Sequence, residues 1–136
     1  MKDFGRIGIG ILAVLAINTL LSHAVPAFYR SDRMPLDPLL MVYIQTALQF
    51  FVAVTVGAVV ARRKFIGPAL TLAILGWCII VYIEYDIART AVDESFLNVM
   101  LPNLPGLFLY AVAAVCGAIL GRKLYDNASA KRTVAT

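Results

Sequence analysis

In a chain of 136 residues, 61% hydrophobic and only 15% charged, the apolar side chains outnumber what one water-soluble globule can bury, since such domains ordinarily carry about a quarter charged residues. The net charge of +4 does not point to nucleic acid: the basic residues border apolar runs, where they act as topology signals rather than as a binding face.

The first apolar run, "IGIGILAVLAINTLLSHAV", covers 7–25 and is long enough to cross a hydrocarbon core, which takes about 20 helical residues. With "MKDFGR" before it and Ser22 and Ala24 near its end, it also fits a signal peptide cleaved after Ala24. Two points favour a retained helix: the apolar stretch continues to Phe28, and cleavage would remove a span. The second run covers 39–60 and places Gln45 and Gln49 four apart on one helix face. The third covers 66–85, carries Trp77 near its middle and Cys78 beside it, and ends on Glu84 between Tyr82 and Tyr85. Trp77 is expected in the bundle core. In 86–105, Asp93 can cap a helical turn whose apolar face is Phe96, Leu97, Met100 and Leu101. This reads as a short amphipathic helix on the outer surface, ended by Pro102. The fourth run, 106–121, includes Cys116 and is short for a span. Residues 126–136 read as a mobile polar tail, leaving 1–125 as one membrane domain.

The expected fold is therefore an all-α integral membrane protein with four transmembrane helices. No period-two alternation suggests a barrel, and continuous apolar helices satisfy their own backbone. Nine basic residues (Lys2, Arg6, Arg62, Arg63, Lys64, Arg122, Lys123, Lys131, Arg132) share one side, and three (Arg30, Arg33, Arg89) the other. By the positive-inside rule both termini are cytoplasmic, and a bacterial cytoplasmic (inner) membrane is the expected location.

Shifting the chain by sixty residues lays "AVTVGAVVARRKF" over "AAVCGAILGRKLY", so the two helical hairpins read as a weak parallel repeat about an axis along the membrane normal. The matched words hold small-residue ladders, Ala53, Gly57, Ala61 and Ala113, Gly117, Gly121, which let helix backbones approach closely. They are expected to pack helices two and four together inside the monomer, or to meet another chain.

Polar residues in hydrocarbon normally turn inward. His23 and Gln45 lie at a depth comparable with Glu84, and Gln49 shares a helix face with Gln45; the four form a candidate outward-opening pocket, set against the simpler reading of Glu84 as the point where a helix reaches water. The two cysteines are not spaced for a disulfide or zinc. There is one histidine, and no glycine-rich phosphate loop, HExxH or GxSxG is found. No enzyme activity and no cofactor are expected. The expected partners are membrane lipids, further copies of the chain or another membrane protein. The expected role is an accessory, assembly or structural membrane protein; the alternative is a minimal oligomeric transporter or channel with Glu84 at its site.

Overall fold

The computed structural model describes residues 2–24, 38–62, 64–92 and 95–134. Four helices follow in chain order: α1 (Lys2–Ala24), α2 (Pro38–Ala61), α3 (Ile66–Val92) and α4 (Phe96–Val134). All four are long and apolar enough to cross a membrane. The shortest has 23 residues, roughly 35 Å at 1.5 Å per residue. Leu12, Leu20, Ile79, Ile87 and Phe108 point outward, an arrangement that suits lipid and not water.

Contacts run α1 to α2, α2 to α4 and α4 to α3, with α1 and α3 touching only lightly. α2 and α4 are thus the central pair. The core built around them is rich in alanine (Ala53, Ala58, Ala61, Ala113, Ala114, Ala118), with Val14, Phe50, Val54 and Phe65 as its larger members. Side chains this small let the helix axes approach until backbone meets backbone, which is how helices associate where lipid offers no hydrophobic drive.

Both small-residue ladders are buried within the monomer, but they do not face each other. A Cβ added at Gly57 would strike Val14 of α1 and come 2.8 Å from the Gly10 carbonyl oxygen. The first ladder therefore receives α1, and the Phe65 ring plugs the same crossing from the α2–α3 turn. The second ladder packs on a different ridge of α2: a Cβ at Gly117 would lie 2.8 Å from the Phe51 carbonyl, and one at Gly121 would strike the Thr55 carbonyl. Helices two and four do pack together, through the α4 ladder and the 51–58 ridge. The matched glycines of the internal echo thus serve different helix pairs.

Two expectations are corrected. The surface helix at 96–101 and the fourth span at 106–121 are one helix, and neither Pro102 nor Pro105 stops it. Each proline deletes one i to i−4 hydrogen bond, leaving the carbonyls of Asn98 and Leu101 without their helical donor. Breaking the helix in an apolar environment would leave many more groups unpaired, so two lost bonds are the smaller cost. The second correction is at the other end, where α4 runs on as helix through most of the expected tail, to Val134. There Arg122 and Asp126 pair at 3.7 Å and Ser129 Oγ donates to the Tyr125 carbonyl at 2.9 Å. The first outer loop and the Asp93 cap lie outside the described residues.

The α1–α2 crossing predicts a sharp contrast between glycines. Gly57→Leu should lower stability in detergent by about 1–3 kcal/mol, the cost of overpacking. Gly76→Ala, at a mid-helix position with open space beside it, should raise it by about 0.5–1 kcal/mol. Reversible unfolding in mixed micelles measures both, and equal stability of Gly57→Leu and wild type would refute the crossing.

Candidate functional site

The polar groups of the bundle converge on Asn103, which is 5% exposed and sits on α4 between the two prolines. Its side-chain Oδ1 accepts from Tyr43 Oη of α2 at 2.6 Å. Its Nδ2 donates to Glu84 Oε2 of α3 at 2.5 Å and to the Val99 carbonyl one turn back at 3.0 Å. Its backbone carbonyl accepts from Trp77 Nε1 of α3 at 2.9 Å. The Tyr43 hydroxyl also lies 3.5 Å from the Pro102 carbonyl, but its one proton goes to the shorter contact. Three helices therefore meet on one amide. The orientation of that amide is fixed by chemistry: the carbonyl end must face the donor Tyr43 and the amino end the acceptor Glu84.

Local sequence explains how each group arrives. Gly106 lies one turn after Asn103, and a Cβ there would come within 3.1 Å of the Tyr43 ring. Glycine lets that ring lie close on α4 and carry its hydroxyl to Asn103, whereas a larger residue would push the ring back by a few tenths of an ångström. Trp77 and Glu84 are seven residues apart, two turns of one helix, so both face α4. Aromatic pairs brace the network on either side. Tyr85 meets Phe96 edge-on at 5.4 Å, and Phe50 meets Tyr110 at 5.5 Å. Phe96, Asn103 and Tyr110 recur every seven residues along one face of α4.

The four expected pocket residues lie on three helices: His23 on α1, Gln45 and Gln49 on α2, and Glu84 on α3. Glu84 is tied to Asn103 and remains exposed on its other side. His23 lies on the exposed face of α1, where its Nδ1 donates to the Thr19 carbonyl of its own helix at 2.8 Å. Gln49 is buried near the middle of α2, and Gln45 is half-buried about one turn before it. Trp77, expected in the bundle core, is only half-buried, and its indole nitrogen is used for a specific bond. Asn103 and Tyr43 were not anticipated: "PNLP" reads as a loop, and Tyr43 as one aromatic in an apolar run. The available signal was the fourth span itself. Its 16 residues at 106–121 reach only about 24 Å against a core of about 30 Å, and extending it backward puts Asn103 inside the bundle.

Comparison with protein-family models, with curated proteins and with solved structures finds no match to this chain. The site must be judged by its own chemistry. Among the described residues no three His, Cys, Asp or Glu side chains gather where they could hold a metal ion. A tyrosine hydroxyl, an amide, an indole and one carboxylate form a hydrogen-bonded clamp, with Glu84 as its one ionisable acceptor.

The clamp predicts unequal costs. Asn103→Ala should destabilise the bundle by about 1–3 kcal/mol, because partners are left unpaired in a buried setting. Tyr43→Phe should cost less, about 0.6 kcal/mol, the average for a hydrogen bond between membrane helices. A double-mutant cycle on Tyr43 and Asn103, read by unfolding in mixed micelles, should be non-additive; strict additivity would mean that the two do not act together.

Proposed function

We propose that this chain is a small multi-pass membrane protein that works through helix packing and protein–protein contact, as an accessory or assembly subunit or as a homo-oligomeric structural protein. The observation that carries this reading is the Asn103 clamp. The polar side chains that a transport route would leave facing water are here bound to one another, and they fasten α2, α3 and α4 together. Such bonds are the usual cement between membrane helices. The close-packed α1–α2 and α2–α4 seams add to the same rigidity.

The location that goes with this reading is the bacterial cytoplasmic membrane, with both termini on the cytoplasmic side. Its support is the distribution of basic residues: Arg6, Arg62, Lys64, Arg122 and Lys123 belong to the end where α1 starts, α2 ends and α3 starts. The parallel repeat of two hairpins is part of this proposal, supported by the sixty-residue echo and by the matching contacts of α1 with α2 and α3 with α4.

A second reading keeps Glu84 as the working group of a minimal oligomeric transporter or channel. It is favoured by one observation: the Glu84 side chain, though bonded to Asn103, is exposed on its helix. A carboxylate placed there can exchange ions with water at the membrane boundary.

Gentle extraction from native membranes, followed by complex mass and composition, separates the two. The accessory or structural reading expects a stoichiometric complex, with a foreign subunit or with further copies, that survives Glu84→Gln. A monomer under those conditions would overturn it. The transporter reading expects Glu84→Gln to abolish flux in proteoliposomes while the protein stays folded, and unchanged flux would remove it.

A further inference from the structure

The end of the bundle opposite the clamp carries a feature that packing does not explain. Arg62 ends α2 with φ of 55°, the one described non-glycine residue with positive φ. Its backbone N–H still bonds the Ala58 carbonyl at 3.2 Å, which is a helix stop that glycine ordinarily supplies. An arginine in this conformation carries backbone strain that a glycine would not. What the strain achieves is placement: the Arg62 guanidinium lies over the Tyr125 ring of α4, 5.8 Å from its centroid.

This placement builds a cleft. Arg62, Lys64, Arg122, Tyr125 and Asp126 line a space of about 210 Å³ between the α2–α3 turn and α4, three cations against one carboxylate. Asp126 is already engaged with Arg122 at 3.7 Å, which orients that guanidinium and leaves the excess positive charge with Arg62 and Lys64. A second cleft of about 430 Å³ shares Lys64, Arg122 and Asp126 and continues toward the middle of the helices along Phe65, Ile66, Ala118 and Ile119. A positive mouth joined to an apolar trough has the two halves of one chemical class, an anion carrying a hydrocarbon chain. Both lie where the candidate spans end and begin, at Ala61 and Ile66.

We infer that this end binds an anionic phospholipid of the surrounding membrane, its phosphate between Arg62, Lys64 and Arg122 and one acyl chain along Ile66 and Ile119. The inference rests on reading the four helices as membrane spans. Basic pockets between helix ends attract lipid phosphate with about 1 kcal/mol per cation. Arginine adds paired N–H donors that match phosphate oxygens. Free phosphate would use the mouth alone and gain nothing from the trough.

The test uses the full chain in neutral detergent, titrated with phosphatidylglycerol or phosphatidylcholine, with retained lipid counted by native mass spectrometry. Wild type should retain phosphatidylglycerol at least tenfold better than phosphatidylcholine, and excess inorganic phosphate should not displace it. Arg62→Gly with Arg122→Gln should weaken retention about thirtyfold, at about fivefold per charge. Arg62→Gly alone should cost about fivefold without loss of fold, because glycine adopts this backbone conformation freely. It therefore decides the matter if the double variant does not fold. Arg89→Gln, the same charge change at the other end, should leave retention unchanged. Retention by Arg62→Gly equal to wild type, an equal loss in Arg89→Gln, or full displacement by inorganic phosphate would each overturn the assignment. Flotation with vesicles of pure phosphatidylcholine is read separately. A chain that does not float with them fails the membrane reading itself, whereas one that floats but shows no lipid preference fails only the lipid site.

Discussion

The bundle depends on one amide placed where its helix is weakest. Pro102 and Pro105 remove two consecutive-turn hydrogen bonds from α4, each a change that in an ordinary helix interior costs about 3 kcal/mol or more. Asn103 stands between them and draws Tyr43 from α2 and Trp77 and Glu84 from α3 onto that segment. Tertiary bonds thus replace lost local ones. The exchange works because the surroundings are apolar: an amide that would trade partners freely with water has no comparable alternative here, and a broken helix would have none for its backbone.

Around this point the helices are held by proximity. α2 presents one ridge to α1, through Gly57 and Ala61, and another to α4, through Phe51, Val54, Thr55 and Ala58. That double duty explains why its buried residues are small over so long a stretch, and why it needs no continuous bulky core. The division also shows what a repeated sequence word can mean. "VGAVVARR" and "CGAILGRK" look alike because both must let a backbone come close, yet one admits α1 and the other lies against α2. Similar packing chemistry does not require equivalent packing partners.

The element count and most element positions were legible because hydrocarbon imposes length and apolarity on every span, and both are written residue by residue. Glu84 was legible as a question, since one carboxylate in an apolar run stands out. What sequence pattern could not supply was its partner. Asn103 is nineteen residues away, within a Pro-Asn-Leu-Pro word whose local preference is a turn, and local preference gave the wrong end to α4. The same limit applied to residues beyond Arg122, where polar composition suggested a free tail but helix-forming residues and the Arg122–Asp126 pair continue α4. The candidate pocket met a related limit. Comparable depth grouped His23 and Gln45 with Glu84, but depth says nothing about which helices are neighbours, and α1 and α3 touch only lightly.

Depth does carry one further consequence. From Asn103 to Arg122 on α4 is nineteen residues, and from Tyr43 to Arg62 on α2 the same, roughly 28 Å at 1.5 Å per residue. From Phe65, in the turn just before α3, to Glu84 is again nineteen. Three helices thus separate the clamp from the basic end by one distance, close to the thickness of a hydrocarbon core of about 30 Å. In the membrane setting proposed for this chain, the clamp and the basic end lie at opposite boundaries, with the alanine and glycine seams between them. This explains why a carboxylate is tolerated in the clamp: near a boundary, Glu84 can be bonded on one side and hydrated on the other, whereas at mid-depth its charge would have to be matched entirely by protein. At the other boundary, the proposed lipid site sets the cations against phosphate. The two polar sites are different solutions to one constraint, inward pairing where the residues are few and outward display where the charges are of one sign.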